Sequence, residues 1–270
     1  MKITFIGGGN MAQAIAGGLI KKGFDAGSIC AVEPVAAARE RLAKEFGVRA
    51  VGSAAEAAPL GDLVVMAVKP QQMREAAGSI SGLVAGSLVL SIAAGTRLAD
   101  LQRWLGGHAL LARCMPNTPA LVGQGITGLY CSPAASAGQR AMAAKVLEAV
   151  GQVVEVESES LLDPVTAVSG SGPAYVFLFI EALQRAAKEL GLTPAQARSL
   201  SIQTFAGAAK LAAESTEEVG LLRERVTSKG GTTERALASM QEDRVVESIV
   251  RAIHAANARA GELGELLGKD

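Results

Sequence analysis

Two apolar runs, "LVVMAV" at 63–68 and "LVLSIAA" at 88–94, constrain the fold of this chain most. Neither alternates apolar with polar residues, so neither has a face to turn toward water. Strands covered on both faces belong to parallel sheets flanked by helices. The neighbouring segments agree. "KITFIG", "SICAVE", "HALLARCMPNTP", "GITGLYCS" and "QVVEVE" read as strands, and helix-like "NMAQAIAGGLIKKG", "VAAARERLAKEFG", "RLADLQRWLGG" and "SAGQRAMAAKVLEAVG" lie between them. The pattern predicts a doubly wound α/β domain.

After Asp163-Pro164 the strand signals stop. "GPAYVFLFIEALQRAAKELG" has Pro173 at a first-turn position and Gly191 just past its end. The next helix opens with Thr193, Pro194 and Gln196 in a capping-box arrangement. "TERALASMQEDRVVESIVRAIHAANARAGELGELL" supplies one or two further helices. The expected organisation is therefore a sheet domain at 1–162 and an all-helical domain at 163–270. Within the latter, "AYVFLFI" is apolar on every face, which predicts burial all round, preferably in a dimer interface.

The 26 Lys+Arg balance the 26 Asp+Glu, with no basic stripe or acidic tail, so nucleic acid is not an expected partner. Aromatic residues are only 3% against 49% apolar residues in all, so alanine carries much of the packing and helices can approach closely. Cys30, Cys114 and Cys131 are far apart without metal-ligand spacing and read as free thiols in a reducing compartment; no metal is expected. The start "MKITFIGGGN" is too short an apolar run for a signal peptide, and no uninterrupted apolar stretch approaches ~18 residues. A cytoplasmic protein with no membrane span is expected.

"FIGGGNMAQAI" follows the first strand and opens the first helix. Gly7, Gly9 and Ala12 fit G-x-G-x-x-A in the context that gives the pattern meaning. Gly7 permits the turn, Gly9 lets a pyrophosphate approach, and Asn10 and Met11 begin the helix whose N-terminus favours anions. Glu33 ends the second strand, followed by Pro34, where an acidic side chain binds the adenosine ribose of NAD. Either NADPH or NADH can be the cofactor, with NADH slightly favoured because Glu33 would repel a 2′-phosphate. Arg39 could counter that repulsion, and Glu33 is also compatible with an exposed strand end. Ala67, Val68, Lys69 and Pro70 follow one buried strand, Ala93 the next, and Asn117 and Thr118 a third. All fall on the rim where ligands bind in such sheets.

A dehydrogenase acting on an alcohol or ketone needs a placed acid or base. His108 and His254 are the only histidines, and neither belongs to a motif. The β-hydroxyacid dehydrogenases share the N-terminal pattern and use a lysine shortly after a later G-x-G. Here "SGSGPAYVFLF", with Gly170 and Gly172, has no such lysine. An imine suits this chain better, because its protonated form already accepts hydride.

"FIGGGNMAQAIAGGL", "AVKP", "MPNTPALVGQG", "AVSGSGPAYVF" and "VTSKGGTTERAL", in this order, resemble the pyrroline-5-carboxylate reductase family over essentially the whole chain. The resemblance implies NAD(P)H-dependent reduction of pyrroline-5-carboxylate to proline. It implies a homodimer with interlocked C-terminal helices, commonly built into a ring of dimers such as a homodecamer. It also assigns "TSKGGTT" a role. Ser228, Gly231 and Thr232 would hold the substrate carboxylate, Gly230 would also belong to the substrate site, and Thr233 would hydrogen-bond the ring nitrogen as the catalytic residue. Thr232 or Thr233 is expected to cap the following helix, with free N–H groups at its positive end. Lys229 departs from the proline frequent in the family. Ser169 and Gly172 are secondary candidates. The alternatives are another imine reductase or β-hydroxyacid-type dehydrogenase, and a dinucleotide-sensing regulator without turnover.

Overall fold

The two unalternating runs form neighbouring parallel strands. The computed structural model describes residues 1–269. Eight strands make one sheet: β1 Ile3–Ile6, β2 Ile29–Val32, β3 Arg49–Val51, β4 Leu63–Met66, β5 Leu88–Ser91, β6 Leu111–Met115, β7 Gly125–Cys131 and β8 Gly151–Glu155. Their order is β3-β2-β1-β4-β5-β6-β7-β8. Every residue of β1, β4 and β5 is buried, as the missing alternation predicts. Leu63 and Val65 enter one apolar layer with Phe5 and Ile15, while Val64 and Met66 enter the other with Met73 and Ile80. Strand order reverses between β1 and β4, the place where open α/β sheets leave a crevice for a ligand.

Helices α1 Asn10–Lys21, α2 Ala36–Phe46, α3 Ala54–Ala57, α4 Met73–Ile80, α5 Leu98–Trp104 and α6 Ala137–Leu147 connect the strands. Two features depart from the sequence reading. β3, α3 and α4 are not among the expected elements, and two of them, β3 and α3, have only three and four residues. β6 and β7 pair antiparallel, whereas the other pairs are parallel. The segment between Met115 and Gly125 is too short for the crossover a parallel pair needs.

Beyond the sheet come α7 Leu162–Val165, a π-helical turn Thr166–Gly170, α8 Gly172–Glu189, α9 Pro194–Glu214, α10 Val219–Arg225, α11 Thr232–Glu242 and α12 Val245–Gly268. The chain forms two compact units, Met1–Ser171 with the stretch from Ala256 onward, and Gly172–Ala255. This division differs from one at 162/163. Leu162 and Ala167 are fully buried, and Gly170 lies close against Met115, so packing on the sheet continues after the last strand.

In the second unit α8 and α9 form a helical hairpin. Gly191 adopts φ +94° to turn the chain, and Thr193 and Gln196 complete the capping box. Phe177 and Leu178 of α8 are 61% and 63% exposed in the single chain, so the helix is not enclosed within one subunit. An apolar cleft of about 280 Å³ is lined by Tyr175, Leu178, Phe179, Val245, Ile249 and Ile253. The helical stretch Glu159–Glu189 is long and apolar enough, by length and composition, to cross a membrane, a property that uninterrupted apolar runs do not register.

Candidate functional site

The turn after β1 requires glycine. Gly7 has φ +101°, and a Cβ there would lie 2.8 Å from the carbonyl oxygen of Ala67. Its own N–H donates to the carbonyl of Val32 at 2.8 Å, which ties the turn to β2. Gly9 is the N-cap of α1 and supplies no side-chain acceptor, so the first-turn N–H groups, Asn10 and Met11 among them, have no cap. The place of a Gly9 Cβ has only the Ala67 carbonyl oxygen nearby, at 3.9 Å. Ala12 is buried against the sheet. This uncapped, side-chain-free helix start fits a pyrophosphate.

Glu33 does more than end β2. Its Oε2 accepts the Gly8 N–H at 2.9 Å and its Oε1 accepts the Val35 N–H at 3.0 Å. Arg39 donates through Nη1 to the carbonyls of Glu33 and Pro34, at 2.8 and 2.7 Å. Beside them opens a cleft of about 440 Å³, lined by Gly7, Val32, Glu33, Pro34, Ser53 and Glu75 among others. Two carboxylates, Glu33 and Glu75, line it, and among the described residues no lysine or arginine does. Nearby, a hydrogen bond from Ser53 holds the Glu56 carboxyl below its ordinary range, with the Arg39 charge adding to the effect. Ser53, Gln72 and Glu75 escaped the sequence reading because they belong to or adjoin the unexpected α3 and α4.

The rim continues along the sheet. Ala67 follows β4 and donates its N–H to the carbonyl of Ile6 at 2.8 Å, Val68 lines the cleft, and Lys69 caps the 3-10 turn that Pro70 opens. Ala93 follows β5 and is 5% exposed. Asn117 follows β6, but its side chain is engaged within the protein. Oδ1 accepts the Ile126 N–H at 3.0 Å and Nδ2 donates to the Ser169 carbonyl at 3.2 Å. It clamps the loop leading into β7. Ser169 donates its hydroxyl back to the Val165 carbonyl. Gly7, Gly9, Glu33, Ala67 to Pro70, Ala93 and Asn117 thus meet at the C-terminal ends of five neighbouring strands.

The "TSKGGTT" loop lies in the second unit. Gly230 has φ +72°, which makes the tight turn before α11. The N-cap is Gly231, not a threonine; Thr232 and Thr233 are already helical, and the N-cap supplies no side-chain acceptor. A threonine cap would consume a first-turn N–H, so its absence leaves those groups available to an anion. Glu234 reaches back and accepts the Gly230 N–H at 2.6 Å, so that donor is not free. Ser228 closes the turn by accepting the Gly231 N–H at 3.0 Å, and a Cβ on Gly231 would lie 2.6 Å from the Ser228 Oγ. Thr233 is half-buried and Lys229 exposed.

Elsewhere the chemistry is sparse. His108 contacts the Ser87 carbonyl through Nε2 at 2.9 Å. Among the described residues, no group of three or more His, Cys, Asp or Glu could hold a metal ion.

Comparison with known proteins fits both halves. Residues 2–95 match the family described as NADP oxidoreductase coenzyme F420-dependent, and residues 159–263 match pyrroline-5-carboxylate reductase dimerisation. A pyrroline-5-carboxylate reductase of Pseudomonas aeruginosa is 45% identical over 269 residues, covering 99% of this chain and 98% of that protein. The structure of such a reductase from Coxiella burnetii superposes with TM-score 0.93 at 40% identity, covering 97% of this chain and 98% of that one. A Plasmodium falciparum pyrroline carboxylate reductase with NADP bound gives TM-score 0.86 at 28% identity, covering 98% of each chain. The helical region carries a dimerisation domain, and the chain belongs to the pyrroline-5-carboxylate reductase family.

Proposed function

We propose that this protein reduces pyrroline-5-carboxylate to proline with NADH or NADPH. The observation that carries the reading is the match over nearly the whole chain to reductases of that name, at 45% identity for the Pseudomonas aeruginosa protein. The uncapped starts of α1 and α11 supply two anion sites of the kind the reaction needs.

Each part of the chain then has a task. The N-terminus of α1, through Gly7, Gly9, Asn10 and Met11, holds the pyrophosphate, with Glu33 and Pro34 at the adenosine end. Ala67, Val68, Lys69, Pro70, Ala93 and Asn117 shape the nicotinamide end. A reduced nicotinamide, when bound, supplies the hydride. Ser228, Gly230, Gly231 and Thr232 bind the substrate, with its carboxylate at Ser228, Gly231 and Thr232 and the open N–H groups in the first turn of α11, from Thr232 onward, as the main donors. Two or three such charge-assisted bonds contribute roughly 1.5–3 kcal/mol each, enough for millimolar to micromolar binding without an arginine. The Thr233 hydroxyl orients the ring nitrogen and relays a proton, a modest demand when the imine arrives protonated. The same Glu33 carboxylate, with Glu75 along the cleft, favours NADH over NADPH by disfavouring a 2′-phosphate.

Residues 1–162 form the dinucleotide-binding domain in this reading, and 163–270 the dimerisation and substrate-binding domain. The exposed apolar face of α8 interlocks with that of a second subunit in a homodimer, and dimers assemble further into a ring such as a decamer. The "TSKGGTT" loop of one subunit completes the site of its partner. The protein works in the cytoplasm on a small molecule, with neither nucleic acid nor membrane as partner. Following NADH and NADPH oxidation by absorbance with purified protein and pyrroline-5-carboxylate tests the reading. Proline formation is the expected outcome. Binding of both cofactors without consumption of either would sink the activity.

A further inference from the structure

We infer that the C-terminal stretch of α12, from Ala256 onward, positions the cofactor rim of the sheet, with Arg97 as the positioning residue. The inference rests on the reading of Ala93 as part of the dinucleotide site.

It begins with an arginine in an unusual place. Arg113 lies on β6 within the sheet and is 2% exposed. Its Nη1 lies 3.1 Å from Glu159 Oε1, and its Nη2 lies 4.0 Å from Asp163 Oδ1. Asp163 also takes both ends of the Arg97 guanidinium, at 3.0 and 2.6 Å. Glu159 Oε1 accepts the Leu98 N–H at 2.8 Å, which caps α5, whose N-cap Arg97 makes no side-chain cap. Two acids just beyond the last strand thus hold two arginines, and one of these closes the Ala93–Thr96 loop. Fork-shaped pairs of this kind fix geometry as well as charge.

The other side of Arg97 meets α12. A Cβ on Gly264 would lie 2.5 Å from Arg97 Nε, and one on Gly268 would lie 2.5 Å from Asp100 Oδ2. The place of a Gly261 Cβ is 4.0 Å from Asp163 Oδ2. Leu267 Cδ1 is 2.8 Å from where a Cβ on Gly95 would stand, and Gly95 itself has φ +78°. Arg103 donates through Nη2 to the Gly268 carbonyl at 3.0 Å. Glycines 261, 264 and 268 fall on one helix face, and each costs a helix interior roughly 0.5–1 kcal/mol relative to alanine. Together they let the helix backbone approach this ion cluster closely. The short loop from Ala93 to Thr96 is held between Leu267 and Arg97, so displacing Arg97 shifts the loop that carries Ala93.

The test uses the full-length chain with Gly264→Val, Arg97→Met and Arg97→Lys, and reads KM for NADH, KM for the imino acid, kcat and Tm. Gly264→Val and Arg97→Met are expected to raise KM for NADH about tenfold, while KM for the imino acid stays within about twofold. Arg97→Lys is expected to recover part of the loss, and it decides the matter if the other two variants do not fold. A lower Tm with unchanged KM for NADH would overturn the inference, leaving the cluster a purely structural joint. Wild-type protein that bound neither dinucleotide would instead remove the cofactor reading, and the inference with it.

Discussion

Glu33 Oε2 accepts the backbone N–H of Gly8 at 2.9 Å, so the residue proposed to meet the cofactor's ribose also secures the glycine turn after β1. Removing the charge tests the first role at the cost of one of the two backbone N–H bonds, from Gly8 and Val35, that the carboxylate accepts. Glu33→Gln keeps the size and one acceptor oxygen but no longer repels a 2′-phosphate. The ratio of kcat/KM for NADPH to that for NADH is expected to rise about tenfold, the ~1.4 kcal/mol that like charges exert near a solvated surface. Steady-state kinetics with both cofactors checks this. A ratio unchanged within about twofold removes Glu33 from cofactor choice.

The α11 start makes a separate prediction. A Cβ on Gly231 would lie 2.6 Å from the Ser228 Oγ, so Gly231→Ala must displace Ser228. KM for the imino acid is expected to rise ten- to a hundredfold, the equivalent of one charge-assisted hydrogen bond, with KM for the cofactor unaffected. Thr233→Ala is expected to lower kcat more than tenfold. A change of less than about threefold would end the case for Thr233 in proton relay.

Phe177 of α8 is 61% exposed in the single chain. Phe177→Asp puts a charge on the face proposed to meet a second subunit, and burying an unpaired carboxylate costs several kcal/mol. Sedimentation is expected to show monomers at concentrations where the parent protein is dimeric, with activity lost in parallel. A dimer that persists would place the interface on another face.

Burial pushes the Cys131 thiol up from the ordinary 9.0 to about 11, and the Cys114 thiol upward as well. Both thiols hold their protons in the folded state at a pH where the unfolded chain has lost them. The stabilisation is therefore complete below pH 9 and falls as pH rises toward 11. Cys131 alone is expected to remove about 1.4 kcal/mol by pH ~10. Urea unfolding of wild-type and Cys131→Ala proteins at pH ~7.5 and ~10 measures it, and the variant should lose less between the two.

Most of this fold is legible in the sequence because unalternating apolar strands and capped helices act through local chemistry. Thr193 and Gln196 form their capping box whatever lies around them. Among the elements that escaped, β3 and α3 have only three and four residues, too few to show a period of their own. The candidate site divides the same way. Gly7 and Gly9 are readable because a tight turn and an open helix start are properties of the backbone. Ser53 and Glu75 reach the cleft only because the strand order brings their segments to the end of β2. Asn117 has the right position, but its amide is occupied by Ile126 and Ser169, partners distant enough in sequence that no motif reveals them.

Because α12 returns to the sheet unit from Ala256, that unit is encoded in two pieces with the helical unit between them. During synthesis, Arg97 and Asp163 emerge long before Gly264. The face they share stays bare until the helical unit between them has been made. A nascent sheet unit is therefore unfinished by design, and its last packing step is available only to chains that have also made their dimerisation helices.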